Sequence, residues 1–186
     1  VHVLRESQRI AALTDGAFDV TVKPLVDLYQ NSLNAGNGLP QIERVASTLE
    51  HVGYHHLEIG NNTISFTQTG MSITLDGIAK GYIVDEGVSI LRQSGFDNVL
   101  VEAGGDLSAS GAKAQESPWR IGIQSPRDDG ARLLNKFTIT NQAAATSGDY
   151  MQPYSDNLAH HHILDPRTGF SAPQLASTTV IAPSGM

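Results

Sequence analysis

Apolar positions change period along this chain, and each change predicts a different kind of element. Residues 1 to 14 carry Leu4, Ala11 and Leu13 at roughly helical spacing, closed by Thr14-Asp15-Gly16. Pro24 to Ser32 reads as a short helix with Leu25, Leu28 and Tyr29 on one face, followed by the loop Asn34-Ala35-Gly36-Asn37-Gly38. Pro40 opens an amphipathic helix that turns Ile42, Val45, Ala46 and Leu49 inward and stops before Gly53. The period then shortens. His55 to Ile59, Thr63 to Gln68 and Ser72 to Leu75 read as strands, broken at Gly60-Asn61-Asn62 and Gly70. Beyond Gly77, Val84, Val88 and Leu91 predict a helix ending near Gly95. Strands are expected again at 99–102, 107–110, 120–124, 137–140, 163–164 and 178–182. No repeat or convincing linker interrupts the chain. The expected fold is α+β, mostly antiparallel sheets with helices packed on them, in a single domain spanning 1–186.

Composition narrows the chemistry. The chain has 186 residues, a net charge of −7 and singly scattered Lys and Arg, so nucleic-acid binding is disfavoured. A phosphate ligand stays open, because backbone N–H groups and a metal can hold one without net positive charge. Eighteen glycines point to many turns or to backbone approaching a ligand closely. With no cysteine, thiolate metal sites and a Cys nucleophile are excluded. The opening Val1-His2-Val3-Leu4-Arg5 reads as the middle of a helix, as if the chain began inside a larger protein.

Four segments stand out, each with a plain and a chemical reading. Asp76-Gly77-Ile78-Ala79-Lys80-Gly81-Tyr82 lies where a strand becomes a helix. It reads as an Asp76-capped turn or, through the helix N–H groups and Lys80, as a pyrophosphate site. Glu102-Ala103-Gly104-Gly105-Asp106-Leu107 reads as a tight hairpin capped by Asp106, or as a backbone nest for an anion. Ala144 to Tyr150 is rich in small residues, which suits either a flat ligand or close sheet packing; composition leaves both open. In His160-His161-His162-Ile163-Leu164-Asp165-Pro166-Arg167-Thr168-Gly169, three adjacent histidines on a strand would alternate faces, which disfavours a structural zinc. One inward His beside Asp165 could serve as an acid–base or phosphate-contacting group, or the segment could be a simple turn. A serine-hydrolase elbow is absent.

Together and in order, these segments resemble the ApbE family of FAD:protein FMN transferases. The resemblance is carried by Thr14-Asp15-Gly16-Ala17-Phe18-Asp19-Val20-Thr21-Val22, Leu75 to Tyr82, Glu102 to Leu107, Trp119-Arg120-Ile121-Gly122-Ile123, Thr146-Ser147-Gly148-Asp149-Tyr150 and His162 to Gly169. It covers residues 4 to 185. It implies a Mg²⁺-dependent reaction that splits the pyrophosphate of FAD, places FMN on a Thr or Ser hydroxyl of an acceptor flavoprotein and releases AMP. The implied acceptor is a subunit of a membrane electron-transfer complex, and the implied location is periplasmic or membrane-anchored facing the periplasm. Two other activities fit the same likeness: a FAD pyrophosphatase giving FMN and AMP, and a FAD-binding maturation or carrier protein with little catalysis.

By the same resemblance, Ala17, Phe18 and Asp19 form the FAD-contacting segment, Asp19 on the adenosine side. Lys80 contacts the flavin nucleotide, Gly77 offers its carbonyl to the metal, and His162 lies against the FAD phosphates as the catalytic residue. Thr74 stands where many members carry Asp, and Asp76 follows two positions later. A subgroup tied to nitrous-oxide reductase maturation shares that Thr-Leu pair, so Thr74 is a further FAD-site position. The family's opening strands are expected before Val1, and its remaining metal ligands, an Asp and a Thr, beyond Met186.

Overall fold

Helix α1 (His2–Leu13) buries Leu4, Ser7 and Ala11 but leaves Leu13 exposed. Leu13 falls in the last turn, where the chain is already leaving the core for the Thr14–Gly16 cap. A computed structural model of the chain describes residues 1–113, 116–128 and 132–186. It divides into two compact units, Val1–Gly77 with Met151–Gln174, and Ile78–Tyr150 with Leu175–Met186.

In the first unit, α2 (Lys23–Asn34) starts with Pro24 inside its first turn, and α3 (Ile42–Leu49) packs beside it. Leu25, Tyr29, Val45 and Leu164 make their common core. The inward face of α3 is narrower than its period suggests: Val45 is buried, whereas Ile42 and Ala46 are exposed. An eight-residue helix lying on one neighbour needs only a single buried stripe. A second core joins Leu4, Val20 and Leu57, with Phe18, Ile59, Ile73 and Leu75 against it. Strands β1 (Leu57–Ile59) and β2 (Ile64–Phe66) form an antiparallel hairpin with Leu57 opposite Phe66. Tyr54–His56 is a single 3-10 turn, so the strand expected from His55 begins only at Leu57.

Two further strands expected here do not form. Residues 72–75 are irregular, tied by one backbone bond, Thr74 N–H to Val20 C=O at 2.8 Å. Their neighbour Val20 sits in a 3-10 turn, which presents no row of carbonyls for a ladder. Likewise 163–164 reduces to one bridge between Leu164 and Ser171, because the Asp165–Gly169 turn reverses the chain at once.

The second unit is an antiparallel sheet backed by one helix. Helix α4 (Ala79–Gln93) buries Gly81, Val84 and Val88 and packs on β3 (Val99–Ala103) and β4 (Asp106–Ser110). The separate β5 (Trp119–Gln124) and β6 (Leu133–Ile139) pair antiparallel with a shift after Ile123. Strands β7 (Ala143–Gly148) and β8 (Ser177–Ala182) complete a four-stranded sheet in the order β3-β4-β7-β8. The core there is Leu107, Ala109, Ile139 and Ala144. The fold is thus α+β with antiparallel sheets.

Candidate functional site

Asp19 is 5% exposed and its carboxylate is filled from within the protein. Oδ1 accepts the Thr21 N–H at 2.8 Å and the Thr21 hydroxyl at 2.7 Å. Oδ2 accepts the Tyr54 N–H at 2.6 Å. The Thr21 hydroxyl oxygen then accepts the Gly53 N–H at 2.8 Å. Asp19 therefore clamps the 18–22 turn onto the start of the β1 hairpin, with three of about four lone-pair positions taken. Ala17 is exposed and Phe18 half-buried, both bonded back to Thr14. A Cβ on Gly77 would meet the Phe18 ring at 3.2 Å, so this position keeps space beside that ring. Thr74 is one step from Val20 through its N–H, and its hydroxyl oxygen accepts the Asp76 N–H at 3.2 Å. Phe18, Asp19, Thr74 and Gly77 are thus one neighbourhood.

His162 lies in the same unit. Its N–H donates to Gln152 C=O at 3.1 Å, and its ring Nδ1 is buried with no partner among the described residues. Burial holds the imidazole pKa below its ordinary value, and neighbouring His161 adds to that. The most inward of the three histidines is His161, at 2% exposure. Its Nδ1 accepts the Ile163 N–H at 3.3 Å, which places the ring proton on an Nε2 that is buried and unpartnered. Asp165 itself forms an ion pair within its turn, receiving Arg167 through Nε at 2.9 Å and Nη2 at 2.7 Å. That hydrogen bonding lowers the Asp165 pKa. Asp165 is too well supplied by its own turn to turn toward a ring.

In the second unit, α4 begins without a side-chain cap. Asp76 is not that cap, because its own N–H is bound to Thr74 and the residue before the helix is Ile78. Lys80, in the first turn, reaches the β3–β4 turn: Nζ lies 3.0 Å from Gly104 C=O and 3.2 Å from Asp106 Oδ2. The turn itself is braced by Glu102, whose Oε1 accepts the Gly105 N–H at 2.6 Å, rather than by Asp106. On the next turn of α4, Asp85 accepts the Gly185 N–H at 2.8 and 2.9 Å and the Met186 N–H at 3.0 Å. Nothing local in the sequence marks Asp85, since its partners lie 100 residues on. Part of the small-residue segment is closely packed. Ala143 and Ala144 are buried in β7, and Gly148 lies under the Tyr150 ring, 2.2 Å from where a Cβ would sit. Asp149, 4% exposed, holds Arg127 through two parallel bonds of 2.8 and 2.7 Å.

A Mg²⁺ ion asks for near-octahedral oxygen ligands. Among the described residues no group of three His, Cys, Asp or Glu side chains could hold a metal, and the Gly77 carbonyl is a single oxygen. These residues do not by themselves fit the ion.

A sequence model described as the ApbE family matches residues 1–186. The FAD:protein FMN transferase of Vibrio cholerae is 36% identical over 169 residues, covering 90% of this chain and 51% of its own length. That of Haemophilus influenzae is 34% identical over 192 residues, covering 99% of this chain and 56% of its own. The chain thus spans about half the length of these relatives. Among solved structures, the ApbE protein of Thermotoga maritima superposes with a TM-score of 0.90 at 36% identity, over 99% of this chain and 60% of that one. The flavinyl transferase ApbE of Pseudomonas stutzeri, in its apo form, gives 0.81 at 31% identity, over 99% and 57%.

Proposed function

The chain belongs to the ApbE family, and on that basis we propose that it forms the FAD-handling part of a FAD:protein FMN transferase. One observation carries the reading: an ammonium, Lys80, stands in the first turn of a 15-residue helix whose N-terminus no side chain caps. Free N–H groups, the positive end of the helix dipole and a fixed cation suit a pyrophosphate. Within the first unit, His162 offers a neutral imidazole with an open Nδ1, and the family relationship is what assigns it to the same reaction. In the proposed reaction the acceptor hydroxyl oxygen bonds to the FMN-side phosphorus and its proton passes to His162. The bond from that phosphorus to the bridging oxygen breaks, and AMP leaves with the bonding pair. The Ala17–Asp19 turn, Thr74 and the space beside Gly77 complete the proposed FAD contacts in the first unit. Asp19 acts there by shaping the turn, since its oxygens are occupied.

A Mg²⁺ requirement belongs to the proposal through the family relationship, with the Gly77 carbonyl as one ligand, and no step above is routed through the ion. The proposed acceptor is a protein Thr or Ser of a membrane electron-transfer complex, on the periplasmic side. Among the described residues no helix is long and apolar enough to cross a membrane.

The test is incubation of a protein carrying this chain with FAD, Mg²⁺ and a Thr-containing acceptor peptide. A covalent FMN mass gain on the peptide, lost in His162→Ala while FAD binding persists, is expected. Free FMN and AMP without labelling would favour hydrolysis, and binding without turnover would favour a carrier. Undiminished transfer by His162→Ala would remove the proton-accepting role.

A further inference from the structure

The β3–β4 turn has a conformation that only glycine adopts easily. Gly104 and Gly105 hold φ of +58° and +94°. In that shape the Gly104 carbonyl faces the Lys80 ammonium at 3.0 Å, while Asp106 Oδ2 approaches the same nitrogen at 3.2 Å. Asp106 is itself anchored. Its Oδ1 accepts the Thr146 N–H of β7 at 3.4 Å, and its side chain is 14% exposed against 44% for Lys80. An ammonium has three N–H donors. The Gly104 carbonyl takes one of them and the Asp106 carboxylate adds an ion-pair contact, which leaves N–H donors for an oxygen that a ligand brings.

We propose that Asp106 is a positioning residue, which together with the Gly104 carbonyl fixes Lys80 so that a free N–H of the ammonium is presented to a phosphate oxygen. This rests on the reading of the α4 N-terminus as a phosphate site. A lysine stem is long and loses much rotamer freedom when its head is fixed. Here that ordering is done in the folded protein, before the ligand arrives. The arrangement also explains why a carboxylate sits close to a site for an anion. Toward the phosphate alone Asp106 is repulsive, and only through Lys80 does it help.

That opposition gives the test a sign. FAD and ADP affinities are measured by titration calorimetry for the wild type, Lys80→Ala, Asp106→Asn and the double variant. Asp106→Asn is expected to weaken both ligands about fivefold or more where Lys80 is present. Placed on Lys80→Ala, the same substitution should leave affinity unchanged or tighten it. Asp106→Glu, which keeps the charge on a longer stem, should recover part of the loss, and it also serves if the Asn variant folds poorly. A loss of equal size in both backgrounds, or tighter binding in both, would overturn the positioning role. If Lys80→Ala alone leaves FAD and ADP affinity intact, the phosphate site itself fails and the role of Asp106 fails with it.

Discussion

Gly81→Ala sets two well-measured effects against each other on α4. In an exposed helix interior the substitution stabilises by about 1 kcal/mol, because Ala loses less backbone freedom than Gly. Here the added Cβ would lie 2.1 Å from the Gly185 carbonyl oxygen and 2.5 Å from its carbon. Contact for such pairs begins near about 3.4 Å, so the 185–186 segment must move by roughly 1.3 Å. Backbone cannot swing aside as a side-chain tip can. The movement also pulls the Gly185 and Met186 N–H groups off the Asp85 carboxylate, now 2.8 to 3.0 Å away. Hydrogen bonds to a charged group are worth about 1.5–3 kcal/mol each, and the half-exposed setting of Asp85 reduces that. With some 2 to 3 kcal/mol lost and about 1 gained, the net cost is about 1–2 kcal/mol.

Urea unfolding gives the net value, and amide hydrogen exchange at Gly185 and Met186 reports the local release. Asp85→Asn, which leaves one carbonyl acceptor, should raise exchange at the same two amides. The two substitutions should be non-additive, since once Gly81→Ala displaces the segment little remains for Asp85 to lose. A Gly81→Ala protein more stable by about 1 kcal/mol, with both amides still protected, would refute the clasp between α4 and the 185–186 segment.

Gly169→Ala should destabilise by about 2–4 kcal/mol in a thermal or urea melt, since overpacking adds to an unfavourable left-handed backbone. There φ is +78° and a Cβ would sit 2.5 Å from Val45 Cγ1. His162 should make stability pH-dependent. Its folded pKa is lowered by burial, so the unfolded chain takes up the proton first as pH falls. The contribution is therefore present in full above about pH 6.5 and is lost as pH drops from there through the lowered folded value. Urea midpoints compared at pH 8, 7, 6 and 5 should show a shallower fall for His162→Gln than for the wild type; identical profiles would contradict the burial effect.

Elements whose cues are local were legible in the sequence. Helix α4 follows from Val84, Val88 and the stop at Gly95, and α2 from Pro24 with Leu25 and Tyr29. What escaped depends on neighbours distant in the chain. Strand β7 is made of Ala143, Ala144, Ala145, Thr146, Ser147 and Gly148, a poor strand former by composition, and it is extended because β4 and β8 flank it. Residues 72–75 have strand composition, yet their bonded neighbour Val20 lies in a 3-10 turn and offers no ladder. The inward faces of α1 and α3 were overdrawn at Leu13, Ile42 and Ala46 for a related reason: period identifies a helix, while the width of its buried stripe depends on what packs there.

The candidate site was legible as motifs, but motif membership does not separate groups that build the backbone from groups left over for a ligand. Hydrogen-bond capacity does. Asp19, Asp149 and Asp165 are motif carboxylates with both oxygens engaged by protein donors, the Thr21–Tyr54 clamp, Arg127 and Arg167, and Glu102 gives one oxygen to the Gly105 N–H. Such groups shape turns, and replacing them should be felt first as lost stability. Lys80 keeps donors uncommitted by the β3–β4 turn, and His162 keeps a buried ring nitrogen without a partner among the described residues. A buried polar atom left open is costly in the empty protein, by about 1–3 kcal/mol. That cost is removed at His162 Nδ1 when a ligand group or proton occupies the position, so binding there is expected to stabilise the fold.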